Sequence, residues 1–291
     1  MSKSINAGNK GLMNLGNTCY MNSALQCLSH LLTFHPNNKK YFNQCKNLDS
    51  CLMKEWFEFQ RGIWSNDDDA IQNPMSLLRC FQVKCRENKY YFNNFDQNDV
   101  DEFLTLFLDL LHQSIKRRVK ISYDSEVNDE GDKIVLKSLD EWKRFYENDY
   151  SYIVENFYSQ LLSLTTCPKC EYYTSNHDPI QVISLEIPSY ASSLKDCFKE
   201  YTKKVKLDEE NLWRCDKCNS EVQSDKKILL WRTSDIIIIL LKRYKGNTKI
   251  DTYIEYPLTL SLNKYNMNYG TTRKNSYTLQ SFVVHQGSLG G

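Results

Sequence analysis

A chain of 291 residues, 41% hydrophobic and 25% charged, has the balance of a globular protein able to bury a substantial core, as one large domain or two smaller ones, and disorder is excluded as its default state. Its 37 basic and 36 acidic residues leave a formal charge of +1, so no global field draws it to nucleic acid or to an anionic membrane, and neither partner is expected. The start, MSKSINAGNKG, lacks the apolar core of a secretory signal, and the longest apolar run, Ile236 to Leu241, is far too short to span a bilayer, so the protein is expected inside the cell, in cytoplasm or nucleus.

After a tail over residues 1–10, the segment GLMNLGNTCYMNSALQCLSHL opens the folded part. Gly16 and Asn17 supply turn residues and Thr18 is placed to cap. Met21, Ala24, Leu25, Leu28, Leu31 and Leu32 recur at helical spacing, which sets Cys19 in the first turn of a helix. The unpaired N–H groups there attract negative charge. Asn14, five residues upstream, is positioned to aim a side-chain amide at the same point, the kind of donor that an acyl-transfer oxyanion needs. Taken alone, a cysteine in this position reads first as a small buried residue.

A second amphipathic helix is expected from about Asp99, with Val100, Phe103, Leu104, Phe107, Leu108 and Leu111 on one face, and Asp99 and Glu102 stand at capping-box spacing. The acids of QNDVDEFL are favoured at a helix start whether or not they bind anything. From Arg117 to Glu147 the chain is highly charged and reads as a surface excursion, mobile in part, with a helix around Trp142. Beyond Ser151 the pattern turns strand-like: FYSQLLSLTTC, PIQVISLEIP, KKILLWR, the Ile236 run and YTLQSFVV. Helices first and strands afterwards imply an α+β arrangement.

The cysteine count is eleven, and four of them form two CxxC pairs, Cys167 with Cys170 and Cys215 with Cys218. Four thiolates close a tetrahedral zinc with no open position, which points to a structural Zn2+ rather than a catalytic one. The long gap between the pairs requires knuckles from separate hairpins. Four unrelated thiols, or a redox CxxC, is the competing reading. His177 is too far from Cys170 to serve the same knuckle and is expected at the surface or in packing. Cys27, Cys45, Cys51, Cys80, Cys85 and Cys197 are left as free thiols, as suits a reducing compartment.

GLMNLGNTCYMNSALQCL resembles, nearly residue for residue, the cysteine box of the ubiquitin-specific protease (USP) family of cysteine deubiquitinases. QNDVDEFL, CPKC, CDKC, DIIIILLKRY and YTLQSFVVHQG follow in the family's order, so the resemblance covers almost the whole chain. It implies a papain-like, hand-shaped α+β fold in residues 11–291: a helical thumb over about 11–150, then zinc-bearing β fingers and a β palm over about 151–291, with the catalytic cleft between thumb and palm. It implies Cys19 as nucleophile, Asn14 as oxyanion donor and Zn2+ on the four cysteines. Asp99 and Glu102 match the family's acids that line the channel for ubiquitin's C-terminal tail. Asn98 and Asp101 stand where the family commonly has glutamine, and Ser159 where it usually has glycine.

The family's catalytic histidine lies in a Gly-Gly-His-Tyr element, and this sequence stops at Gly291, just before it. The chain therefore reads as a fragment of an active protease, lacking the catalytic base and the last strands, with an unpaired sheet edge near residues 277–284; a natural truncation, or a missing segment supplied from elsewhere, stays open. His285 matches an earlier, non-catalytic histidine. The expected function is hydrolysis of the isopeptide or peptide bond after ubiquitin's last glycine, with ubiquitin or ubiquitinated proteins as partners. The alternatives are an inactive ubiquitin-binding module and a zinc scaffold unrelated to ubiquitin.

Overall fold

The computed structural model describes residues 7–31, 43, 50–65, 71–92, 98–124, 126–246, 248–267 and 275–287. Leu32, Cys45, Gln97 and the closing SLGG, all used in the sequence reading, lie outside the described residues. The chain divides into two compact units. The first comprises residues 1–117, 151–156 and 280–291, and the second residues 118–150 and 157–279.

The first unit is helical. It contains α1 (Cys19–Ser29), α2 (Cys51–Ile63), α3 (Met75–Glu87) and α4 (Val100–Ile115), with a short parallel pair of β1 (Gly11–Leu12) and β2 (Ile71–Gln72). Each helix turns one apolar stripe inward. Met21, Ala24, Leu25 and Leu28 of α1 meet a core that contains Trp56, Phe81, Phe103 and Phe107. Phe103 stacks on Phe107 at 5.5 Å, and Trp56 stands edge-on to Phe107 at 5.4 Å.

The stretch leading into α1 is pinned from both sides. Gly8 N–H donates to Ile63 O at 2.8 Å, Met13 N–H to Gln72 O at 2.9 Å, and Gln26 Nε2 of α1 reaches back to Lys10 O at 2.7 Å. Lys10 is buried, its ammonium donating to Ser65 Oγ. This anchoring fixes where α1 starts.

The second unit carries the sheets. β3 (Ser159–Thr166) lies between β4 (Tyr173–Ile180) and β9 (Asp225–Arg232), antiparallel to both, and the short β6 (Val205–Lys206) extends the far edge. β5 (Val182–Glu186) pairs in parallel with β10 (Ile238–Lys242), as suits the near-continuous apolar run Ile236 to Leu241. β7 (Trp213–Cys215) and β8 (Ser220–Val222) form a hairpin, as do β11 (Tyr244–Lys245) with β12 (Thr248–Lys249), and β13 (Thr259–Ser261) pairs with β14 (Ser276–Thr278).

Several expectations change here. The charged stretch over 117–147 is no simple excursion: α5 (Glu130–Tyr146), capped by Asp129 on the Asp132 N–H, packs on β4 and buries Ile134, Trp142 and Tyr146. Two helices interrupt the strand-like half, α6 (Tyr152–Phe157) and α7 (Leu194–Tyr201), the latter opened by a capping box of Ser193 and Asp196. The last expected strand is regular only over Ser276–Thr278, and Phe282, Val283 and Val284 beyond it are exposed. Ser159 does not sit at positive φ; it lies in β3, buried, its hydroxyl 2.9 Å from that of Ser234.

His177 is not at the surface: it is 1% exposed on β4, under α5. Its backbone N–H donates to Glu141 Oε2 at 2.6 Å, and Nδ1 lies 3.1 Å from the same oxygen. Since a carboxylate only accepts, Nδ1 carries the proton, and Nε2 faces the edge-on ring of Trp231. Burial lowers the His177 pKa, and the Glu141 charge opposes that fall. We expect Glu141→Ala, which leaves the buried Nδ1–H without its acceptor, to cost about 1–3 kcal/mol of stability, read from urea unfolding midpoints. An unchanged midpoint would contradict the buried pairing.

Candidate active site and metal centre

Gly16 has φ +120, in the region open to glycine, and with Asn17 it turns the chain into α1. Thr18 occupies the N-cap position, yet its side chain does not cap the helix. Its hydroxyl donates to Asn14 Oδ1 at 3.0 Å and accepts the Leu15 N–H at 3.0 Å, while the Thr18 N–H donates to Asn14 Oδ1 at 3.3 Å. The hydroxyl expected to cap α1 is spent on the turn before it. The first N–H groups of the helix therefore keep no side-chain acceptor from that position.

The result is a held carboxamide beside a presented thiol. Both of Thr18's donors take the oxygen of Asn14, so the Asn14 Nδ2 group, without a partner among the described residues, remains as a hydrogen-bond donor. Cys19, the first residue of α1, is exposed, while Tyr20 and Met21 directly after it are buried. The helix is rooted in the core and its first side chain faces solvent. Among the described residues, no hydrogen bond is made to the Cys19 sulfur, from an imidazole or otherwise.

The acidic block meets the same helix. α1 packs on α4, and Asn98, just ahead of α4, donates Nδ2–H to the Tyr20 hydroxyl at 3.2 Å. Burial raises the Tyr20 pKa, and the charges of Cys19 and Glu102 add to the effect, so both groups lie within electrostatic range of one phenol. Asp99 sits at the N-cap position of α4 with φ −73 and ψ 142, but its side chain makes no cap bond, and the expected capping box with Glu102 does not form. Asp99 and Glu102 are exposed, whereas burial and the Asp99 charge raise the half-buried Asp101 carboxyl above its usual pKa. The Asn98 to Tyr20 bond was not legible in the sequence; a polar residue before the helix was its only trace.

The four cysteines come together in the second unit. Their Sγ atoms all lie within 4.8 Å of one another. Cys167 and Cys218 are 3.9 Å apart and Cys170 and Cys215 3.7 Å, against about 3.8 Å between thiolates around one tetrahedral zinc with bonds near 2.3 Å. Donor type, number and spacing thus fit one metal ion held by sulfur alone.

The two knuckles share one backbone form. The residue after each second cysteine, Glu171 and Asn219, takes the left-handed conformation at φ 59 and φ 52, and its N–H returns to the carbonyl of the first cysteine at 3.0 and 2.7 Å. Cys167 and Cys215 are buried against Val222, and Tyr172 stacks on Trp213 beside them at 6.3 Å. The first knuckle joins β3 to β4 and the second joins β7 to β8, so two hairpins meet at the sulfurs.

The family profile described as ubiquitin carboxyl-terminal hydrolase matches residues 10–291. The chain belongs to that family of cysteine-type ubiquitinyl hydrolases. It is 30% identical over 302 residues to ubiquitin carboxyl-terminal hydrolase 2 of Rattus norvegicus, covering 98% of this chain and 47% of the rat protein. Ubiquitin carboxyl-terminal hydrolase 4 of Saccharomyces cerevisiae is 29% identical over 274 residues, 88% of this chain and 30% of the yeast protein. The probable ubiquitin carboxyl-terminal hydrolase R319 of Acanthamoeba polyphaga mimivirus is 26% identical, across 99% of this chain and 83% of the viral protein.

Among solved structures, a yeast SAGA DUB module superposes with a TM-score of 0.72 at 24% identity, over 100% of this chain and 60% of the other. A Ubp8 DUB module bound to ubiquitin aldehyde gives 0.68 at 22%, over 94% and 57%. The fold expected from the resemblance, mixed α+β with a sulfur-lined metal centre, is therefore present. The chain spans about a third of the yeast relatives and somewhat over half of the superposed structures.

Metal analysis of freshly reduced, folded protein is expected to find about one zinc per chain, and chelation to lower the unfolding temperature. Folded protein free of metal and indifferent to a chelator would remove the site.

Proposed function

We propose that this chain is the nucleophile-bearing, ubiquitin-holding part of a thiol-dependent ubiquitinyl hydrolase. The observation that carries this reading is the exposed sulfur of Cys19 at the start of a core-rooted helix, with the tethered Asn14 carboxamide ahead of it. Cys19 Sγ attacks the carbonyl carbon of ubiquitin's last glycine, and the carbonyl electrons move onto oxygen. Asn14 Nδ2–H hydrogen-bonds that oxyanion. Collapse expels the substrate amine, which takes a proton from the acid form of the base, and leaves a thioester that water hydrolyses.

Asp99 and Glu102, exposed and free of capping duty, offer carboxylates to the arginine-bearing tail of ubiquitin. A relative of this fold has been captured with ubiquitin aldehyde and another with monoubiquitin. In this reading the four cysteines hold structural zinc, which locks two hairpins and takes no part in the reaction. The ten described cysteines, all unpaired as disulfides, suit the reducing interior of a cell. Among the described residues, no helix is long and apolar enough to cross a membrane.

The base is expected to be the histidine of the family's later box, beyond Gly291, and not His285. That no described group hydrogen-bonds the Cys19 sulfur favours a second reading for these 291 residues by themselves: a module that holds ubiquitin without cleaving it.

Ubiquitin bearing a C-terminal electrophile decides between the two readings. The chain should gain the mass of one ubiquitin, Cys19→Ser should gain none, and Asp99→Ala should react at least about tenfold more slowly while its stability stays within about 0.5 kcal/mol of the parent. Noncovalent binding without an adduct would favour the module. Neither adduct nor binding would sink the ubiquitin reading altogether.

A further inference from the structure

Two half-buried thiols with no part in the proposed chemistry face one another inside the helical unit. Cys51 is the first residue of α2, whose N-cap Ser50 accepts the Met53 N–H, and Cys80 lies midway along α3, which packs against α2. The two side chains hydrogen-bond. Neither is sealed in the core: both are partly exposed, unlike Cys85 one turn further along α3, whose thiol burial pushes up to about 12.

Their surroundings suit chemistry at sulfur. The Lys84 ammonium, one turn beyond Cys80, lies within electrostatic range of both sulfurs. Lys84 and Ser50 also line a cavity of about 290 Å³, closed by Asn88, Leu110, Gln113 and Ser114, which opens a route for a small solute next to the pair. Burial, followed by the hydrogen bond and charge of Cys51, pushes the Cys80 thiol up to about 12. Cys80 therefore keeps its proton and donates it, and Cys51, at a helix start where N–H groups attract negative charge, is the attacking sulfur.

We propose that Cys51 and Cys80 form a redox-active dithiol that hydrogen peroxide converts to a disulfide, tying the start of α2 to the middle of α3. Cys51 Sγ attacks one peroxide oxygen; an S–O bond forms, the O–O bond breaks, and the departing hydroxide takes the Cys51 proton and leaves as water. Cys51 is then a sulfenic acid, oxidised by two electrons as the peroxide is reduced. Cys80 Sγ attacks that sulfur; the S–S bond forms, the S–O bond breaks, and hydroxide leaves as a second water with the Cys80 proton. Two thiols and one peroxide give one disulfide and two waters. The inference goes beyond the proposed hydrolase reading and does not depend on it.

The test treats the reduced full chain with hydrogen peroxide at a concentration that oxidises free glutathione in the same tube, blocks remaining thiols with iodoacetamide, and maps peptides without reductant. The expected product is a peptide pair joining Cys51 to Cys80, lighter by two hydrogens than the reduced peptides and separated by dithiothreitol. Cys80→Ser should instead accumulate a Cys51 sulfenic acid that dimedone traps. Recovery of Cys51 and Cys80 from the parent chain as separate alkylated peptides overturns the proposal, and so does pairing of Cys51 with a different cysteine. Since the parent chain gives the decisive result, a variant that fails to fold leaves the outcome intact.

Discussion

Everything about the site follows from one small turn. Asn14 gives its carbonyl oxygen to the backbone and hydroxyl of Thr18, Gly16 supplies a φ that other residues avoid, and α1 begins immediately afterwards with a cysteine that has nowhere to go but outward. The same two bonds that fix the turn leave the Asn14 amide nitrogen as a donor. A buried helix would ordinarily hide its cysteine; here the entry geometry puts the sulfur one residue before burial begins. The price of this arrangement is a helix start without a side-chain cap, a local loss of about 0.5–2 kcal/mol compared with a capped one.

A second constraint organises the sheet-bearing unit. Two hairpins far apart in sequence are brought to one point by four sulfurs, and each presents them through the same left-handed residue after its second cysteine. Asn219 adopts that conformation readily, whereas Glu171 has no such preference and is held there by the return of its N–H to Cys167 O. A metal at that point replaces much of the hydrophobic burial that such short strands lack. The buried cluster around the sulfurs is correspondingly small: Cys167, Cys215 and Val222, with Tyr172 and Trp213 stacked alongside.

What could be read from the sequence was what spacing alone determines. The apolar face of α1, the start of the helix after Asp99 and the closure of the two CxxC pairs all depend on local periodicity or on identical residues repeated, and all three are found in the structure. Contacts between residues distant along the chain were not legible. Thr18 and Asp99 occupy cap positions as their neighbours suggested, but tertiary partners and the turn before each helix decide where their side chains go. α5 looked like solvent-facing chain because its charges outnumber its apolar residues, yet Ile134, Trp142 and Tyr146 fall on one face and Glu141 reaches the hidden ring of His177. The strand expected at YTLQSFVV alternates correctly, but only its first residues find a partner, because alternation specifies a face and does not supply a neighbour.

The central claim is that Cys19, alone of the free thiols, stands in solvent where ubiquitin's tail arrives. It is tested most directly by following iodoacetamide modification of each cysteine by peptide mass, with and without excess unmodified ubiquitin. The account predicts that Cys19 is alkylated ahead of Cys27, Cys51 and Cys80, and that ubiquitin slows Cys19 selectively. Modification of Cys19 no faster than of those three, or at a rate ubiquitin leaves untouched, would contradict it.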